Sequence, residues 1–154
     1  MRKSQLRLIW FLARKIGYDS EILHSLIKKM THKTSLKELS DDETKKVINK
    51  LKQFAGENEN YHSHPIKVNE IGETIEYASP AQLYCIKFYA EKLKFTPQSL
   101  TTFIAQYLKL NRYTLDLKQL TKRQATSLII RLKTQYQRQQ AKIKFQQSQS
   151  TLFS

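Results

Sequence analysis

Six segments of this chain place apolar residues three or four positions apart, the period of one helix face, and that pattern leaves a packed set of helices as the natural fold. The stripes are Leu6, Ile9, Trp10, Ala13 and Ile16; Ile22, Leu23, Leu26, Ile27 and Met30; and Val47, Ile48, Leu51 and Phe54. They resume with Leu83, Ile86, Tyr89, Ala90 and Leu93; Leu100, Phe103, Ile104, Tyr107 and Leu108; and Ala125, Leu128, Ile129 and Leu132. Three Gly and three Pro in 154 residues supply too few tight turns for a many-stranded sheet. The expected fold class is all-α: two tandem related three-helix modules joined by a linker.

Local signals set the helix ends. Gly17 stops the first helix, expected from about Ser4 to Ile16, and Asp19 caps the second, which runs to about Met30. Ser40 with Glu43, and Thr121 with Gln124, have the spacing of a capping box, in which each side chain satisfies the other residue's backbone N–H. Ser79-Pro80 and Thr96-Pro97 each place a hydroxyl cap before a proline at the first helical position. Ile66-Lys67-Val68 and Thr74-Ile75-Glu76-Tyr77 alternate apolar and polar residues, so the stretch between the halves is either a short β-hairpin or an extended linker. The boundaries expected are a first module over residues 1–55, an acidic linker or hairpin over 56–78, a second module over 79–145 and a flexible tail over 146–154. The last helix is expected to reach about Ile143, with the polar run Gln146 to Ser150 frayed.

The halves match in order. Gln5-Leu6 aligns with Gln82-Leu83, Ile9 with Ile86, Ala13 with Ala90, Ile16 with Leu93 and Tyr18 with Phe95, all at an offset of 77. Leu39-Ser40 then aligns with Leu120-Thr121, Glu43 with Gln124, Ile48 with Ile129, and Leu51-Lys52 with Leu132-Lys133, at an offset of 81. Four residues are therefore added around the second loop. Stripe, loop, capping box and stripe, twice in one order, reads as a duplicated unit.

Charge is uneven along this frame. Residues 1–55 carry 13 Lys/Arg against 6 Asp/Glu, residues 56–80 carry 1 against 5, and residues 81–154 carry 13 against 2. Two basic blocks flank an acidic connector, and the total is +14. A basic block attracts polyanions at long range. The cations after each third-helix cap, Lys45, Lys46 and Lys50, then Lys122, Arg123, Arg131 and Lys133, are the candidate nucleic-acid-binding residues. A basic helix following two packed helices has the layout of a helix-turn-helix reader, although the loop before it is too long for the tight version. Lysine suits phosphate contact better than base reading. The same residues also fit a solvated helix face.

Chemistry that the chain does not supply narrows its function. It has no glycine-rich phosphate loop. His62 and His64 lie two apart with neither a cysteine pair nor a third histidine near, so a closed metal site lacks ligands. His24 and His32 stand alone. Cys85, the single cysteine, reads as a small core residue and implies no disulfide. No catalytic residue and no cofactor are expected, and the chain reads as a non-enzyme. No apolar run reaches the roughly 18 residues that span a bilayer, and the N-terminus has no secretory pattern, so the cytoplasm is the expected compartment and no membrane partner is expected. Phe11, Tyr84 and Phe88 lie off the main stripes and are read as an inter-module contact or a partner surface.

Several of these runs resemble the GemA family of Mu-like bacteriophage regulatory proteins. In the first half they are Ile16-Gly17-Tyr18-Asp19-x-Glu21, Met30-Thr31-His32-Lys33-Thr34-Ser35, Leu39-Ser40-x-x-Glu43 and Val47-Ile48-x-x-Leu51. In the second half they are Ala78-Ser79-Pro80-Ala81-Gln82-Leu83-x-x-Ile86 and Leu120-Thr121-x-x-Gln124-Ala125-x-x-Leu128-Ile129. The chain departs from the pattern at His32, where the family has glycine. The resemblance implies a phage or prophage early protein that alters host gene expression, with lowered gyrase activity and changed DNA supercoiling. It brings no catalytic residues. Two readings stand: a DNA-associated regulator binding chiefly through phosphates, and a helical interaction module binding a host protein such as gyrase without DNA. Oligomeric state is open.

Overall fold

The computed structural model describes residues 2–56, 66–68, 71–72 and 74–152. Among the described residues the chain is all-α apart from one two-stranded hairpin. Its elements are α1 (Lys3–Lys15), α2 (Ser20–Thr31), a 3-10 turn (Leu36–Glu38), α3 (Asp41–Phe54), β1 (Ile66–Val68), β2 (Thr74–Glu76), α4 (Pro80–Lys92), α5 (Pro97–Leu108), a second 3-10 turn (Leu117–Gln119) and α6 (Lys122–Leu152). They fall into two units, Met1–Ala81 and Gln82–Ser154.

In the first unit, α1 packs on α3 through Ile9, Leu12 and Ala13, all fully buried, while α2 contributes Ile22, Leu23, Leu26 and Ile27. Each such Leu or Ile taken from water stabilises the fold by about 1.5–3 kcal/mol. Leu12 belongs to the buried face although the stripe read from the sequence omitted it; Trp10, read as core, is only half-buried and lies edge-on to His24. The caps form as their residues require. Asp19 accepts from the Ile22 N–H at 3.0 Å. Ser40 and Glu43 make a reciprocal box at 3.2 and 2.8 Å. The Tyr18 hydroxyl, inside the core, donates to the Ala81 carbonyl at 3.0 Å. Of the two readings of the linker, the hairpin is the one formed: β1 and β2 pair antiparallel with Lys67 opposite Ile75.

The second unit repeats the order helix, helix, 3-10 turn, long helix. Its core holds Cys85, Ile86, Tyr89, Ala90, Ile104, Leu120, Ala125, Leu128, Leu132 and Tyr136. Thr121 and Gln124 close their box at 3.0 and 3.1 Å. Thr96 is boxed with Ser99. Three sequence expectations need correction here. Phe88, read as off the stripe, is 2% exposed and packs edge-on to Tyr89. Tyr107, read as core, is partly exposed and its hydroxyl pairs with Ser127 Oγ at 2.9 Å. The expected frayed tail is helical as well, since α6 continues to Leu152. No glycine or proline interrupts it, and glutamine is a good helix former, so propensity carries it past the packed core.

Candidate nucleic-acid interface

All of α6 is free of acidic side chains. Over 31 residues it carries seven cations: Lys122, Arg123, Arg131, Lys133, Arg138, Lys142 and Lys144. At 1.5 Å per residue the helix is about 46 Å long. Its buried side chains end at Tyr136; from Gln137 to Ser150 every residue is exposed except the half-buried Gln139 and Gln140. The distal half therefore stands in solvent, held by backbone hydrogen bonds and not by a core.

Helical periodicity sorts these cations into rows. Lys122, Lys133 and Lys144 are spaced by 11 residues, close to three turns at 3.6 residues per turn, so they line up along one side. Successive members are about 16 Å apart along the axis. Arg131, Arg138 and Lys142, at spacings of seven and four, form a second row on the other side of the solvent face. The buried stripe, Ala125, Leu128, Leu132 and Tyr136, lies between the rows on the opposite side. Of the positions singled out from sequence, Lys122, Arg123, Arg131 and Lys133 are all exposed. The first turn of α6 is fixed from below: Gln82 Nε2 donates to the Lys122 carbonyl at 3.3 Å and to Thr126 Oγ1 at 2.9 Å.

The corresponding helix of the first unit is electrostatically different. Lys45 and Lys46 are exposed, but the turn before them carries Asp41, Asp42 and Glu43. Lys50 is half-buried, its ammonium 4.9 Å from the centre of the Phe54 ring. Lys33 reaches back from the preceding loop to Glu43 Oε2 at 2.7 Å and to the Glu38 carbonyl at 2.9 Å. That ammonium, with the Ser40 N–H, holds the Glu43 carboxyl below its ordinary value. The mixed charge leaves α3 a weaker anion surface than α6. The basic extension Arg131 to Lys144, which the sequence already offers as a stretch that can lie along a phosphate backbone, contains Arg138, Lys142 and Lys144, and the absence of acids from residues 122–152 distinguishes α6 from α3.

Among the described residues no group of three His, Cys, Asp or Glu side chains could hold a metal ion, and no helix is long and apolar enough to cross a membrane. His62 and His64 lie outside the described residues. Cys85 is buried, as a small core residue would be. Compared with protein-family models, with curated proteins and with solved structures, the chain finds no match.

Proposed function

We propose that this chain is a non-catalytic, DNA-associated regulatory protein that binds chiefly through phosphates, with α6 as its principal contact. The observation that carries the reading is the 31-residue helix with seven cations, no acid and a distal half that no core covers. A helix of about 46 Å reaches beyond one turn of duplex, about 34 Å. Its Lys122, Lys133 and Lys144 row runs along that length. Such contacts carry little sequence information, so binding is strong at low salt and weakly sequence-specific. The resemblance to GemA-type phage regulators supports the same setting: a phage or prophage product that changes host DNA supercoiling or gene expression.

The test is fluorescence anisotropy of the full chain on a short labelled duplex over a range of salt. The expected result is a steep linear fall of log K with log salt. Replacing Lys122, Arg123 and Arg131 together by Gln should reduce the slope by about two to three. An unchanged slope and affinity in that variant would remove α6's first half from the interface.

A second reading has its own observation. Ile130 and Phe145 are 61% and 64% exposed on α6, and Phe11 is 61% exposed on α1. Exposed apolar side chains of this size suit a helical module that binds a host protein, gyrase being the partner that the resemblance suggests. This reading requires a complex that survives nuclease treatment and loses affinity when Phe145 is replaced by Ser; a nuclease-sensitive complex counts against it.

A further inference from the structure

The loop between α5 and the second 3-10 turn is one place where the two units diverge. In the first unit, three residues separate the left-handed cap His32 from Leu36; in the second, seven separate the left-handed cap Lys109 from Leu117. The longer loop carries Arg112 and Tyr113. Asn111 organises it: its Oδ1 accepts from the Tyr113 N–H at 3.0 Å, and its carbonyl accepts from the Thr114 N–H at 3.3 Å. The Arg112 guanidinium lies 4.8 Å from the Tyr113 ring centre, and its Nη2 donates to the Tyr113 hydroxyl at 2.9 Å.

Tyr113 is nonetheless 82% exposed. With a cation on one side of the ring, the other face is the one left open. An aromatic ring gains most of its stabilisation from burial, so a ring held out on a structured loop tip contributes little to folding. Beside it is a groove of about 530 Å³, lined by Pro97, Gln98, Thr101 and Thr102 of α5 with Arg112 and Tyr113. The Thr101 and Thr102 hydroxyls donate to the Pro97 and Gln98 carbonyls at 2.8 and 3.0 Å, which leaves their lone pairs as acceptors. The Gln98 amide offers both a donor and an acceptor. No acidic side chain lines the groove.

We propose that this groove takes an unpaired base of a single-stranded nucleic acid. The base stacks on the open face of Tyr113, Arg112 meets a flanking phosphate, and Gln98, Thr101 and Thr102 lie along the base's polar edge. A single aromatic with a guanidinium beside it, in a stretch that carries 13 cations against 2 acids from residue 81 onward, matches the stacking-plus-phosphate chemistry of single-strand binders. A proline-rich peptide fits less well, because that mode uses an aromatic-lined groove and has no use for the cationic surroundings. The proposal rests on the reading of the chain as a nucleic-acid-associated protein, and adds a second binding mode to it.

The experiment uses the full chain with two labelled probes, a 20-nucleotide oligothymidylate and a duplex of equal length, and compares wild type with Tyr113→Leu, Tyr113→Phe and Arg112→Gln. Tyr113→Leu should weaken single-strand binding roughly 5- to 100-fold and leave duplex binding within twofold, as loss of one stacked base does. Tyr113→Phe keeps the stacking face and should stay close to wild type. A 2-aminopurine placed in the single strand should be quenched by wild type and not by Tyr113→Leu. Single-strand binding unchanged in Tyr113→Leu, with duplex binding intact in wild type, overturns the stacking site alone. Wild type binding neither probe at low salt overturns both this site and the reading beneath it.

Discussion

His32, Lys94 and Lys109 stand in the left-handed region at φ of 59°, 58° and 54°, where glycine is normally found. Each ends a helix. Gly17 and Lys94 occupy matching places: the residue after each returns its N–H five positions back, Tyr18 to Ala13 at 2.8 Å and Phe95 to Ala90 at 2.9 Å. The first unit meets this geometry with glycine and the second with lysine. Left-handed backbone costs a residue with a Cβ about 1–2 kcal/mol, and glycine's extra freedom in the unfolded chain offsets part of the relief. Lys94→Gly and His32→Gly are each expected to raise stability by about 0.5–1 kcal/mol in urea unfolding. His32 thus adopts a conformation that glycine adopts at less cost. Glu43 gives a second prediction at this scale. Its carboxyl is held low by the Lys33 ammonium and then by the Ser40 N–H, so the charged form favours the fold. That contribution is complete above the ordinary glutamate pKa of about 4.3 and is lost as pH falls through the lower folded value. Thermal melts from pH 6 down to pH 3 should therefore show a shallower acid decline for Glu43→Gln than for wild type.

At the scale of elements, the caps and stripes were legible because each depends on residues three or four apart. Asp19, Ser40, Thr96 and Thr121 all cap as their spacing required. The two 3-10 turns were not legible: their signal is a single hydroxyl or carboxylate accepting two residues on, Ser35 from Lys37 and Asp116 from Lys118, inside stretches that read as loop. The full length of α6 was not legible, because its distal half buries no stripe and so leaves no apolar periodicity. The stripe in fact falters at a particular place. Gln139 follows Leu132 and Tyr136 at helical spacing, and its Oε1 is buried with no hydrogen-bond partner among the described residues. An unsatisfied buried amide oxygen costs about 1–3 kcal/mol. Gln139→Leu is expected to raise the melting temperature, whereas Leu132→Ala, in the packed half, should destabilise by about 2–5 kcal/mol. No rise in melting temperature for Gln139→Leu would place position 139 outside the packed surface.

For the whole molecule, net charge, its two basic blocks and their unequal share of acids were readable by counting, and which cations stand exposed was not. Lys50 is drawn to Phe54, and the turn before Lys45 and Lys46 carries three acids, whereas α6 leaves both its rows exposed. Tyr113 is illegible in the sequence for a related reason: a lone tyrosine in a loop has no periodicity, and only exposure and a neighbouring guanidinium mark it. Replacing Lys133, Arg138, Lys142 and Lys144 together by Gln should lower the duplex salt slope by about three to four, with the melting temperature of the packed units little changed. An unaltered slope would confine the interface to the first turns. The exposed half of α6 has one more consequence. Seven like charges on one rod repel each other, and beyond Tyr136 no core offsets that repulsion, so the distal helix forms and melts by propensity, temperature and ionic strength. A polyanion lying along the rod cancels the repulsion best when the charges are held in the rows that the helix makes. Binding and helix formation are then one linked equilibrium. Added polyanion, salt or cooling should each raise the far-ultraviolet helical signal, which makes the distal helix a spectroscopic gauge of the charge surrounding it.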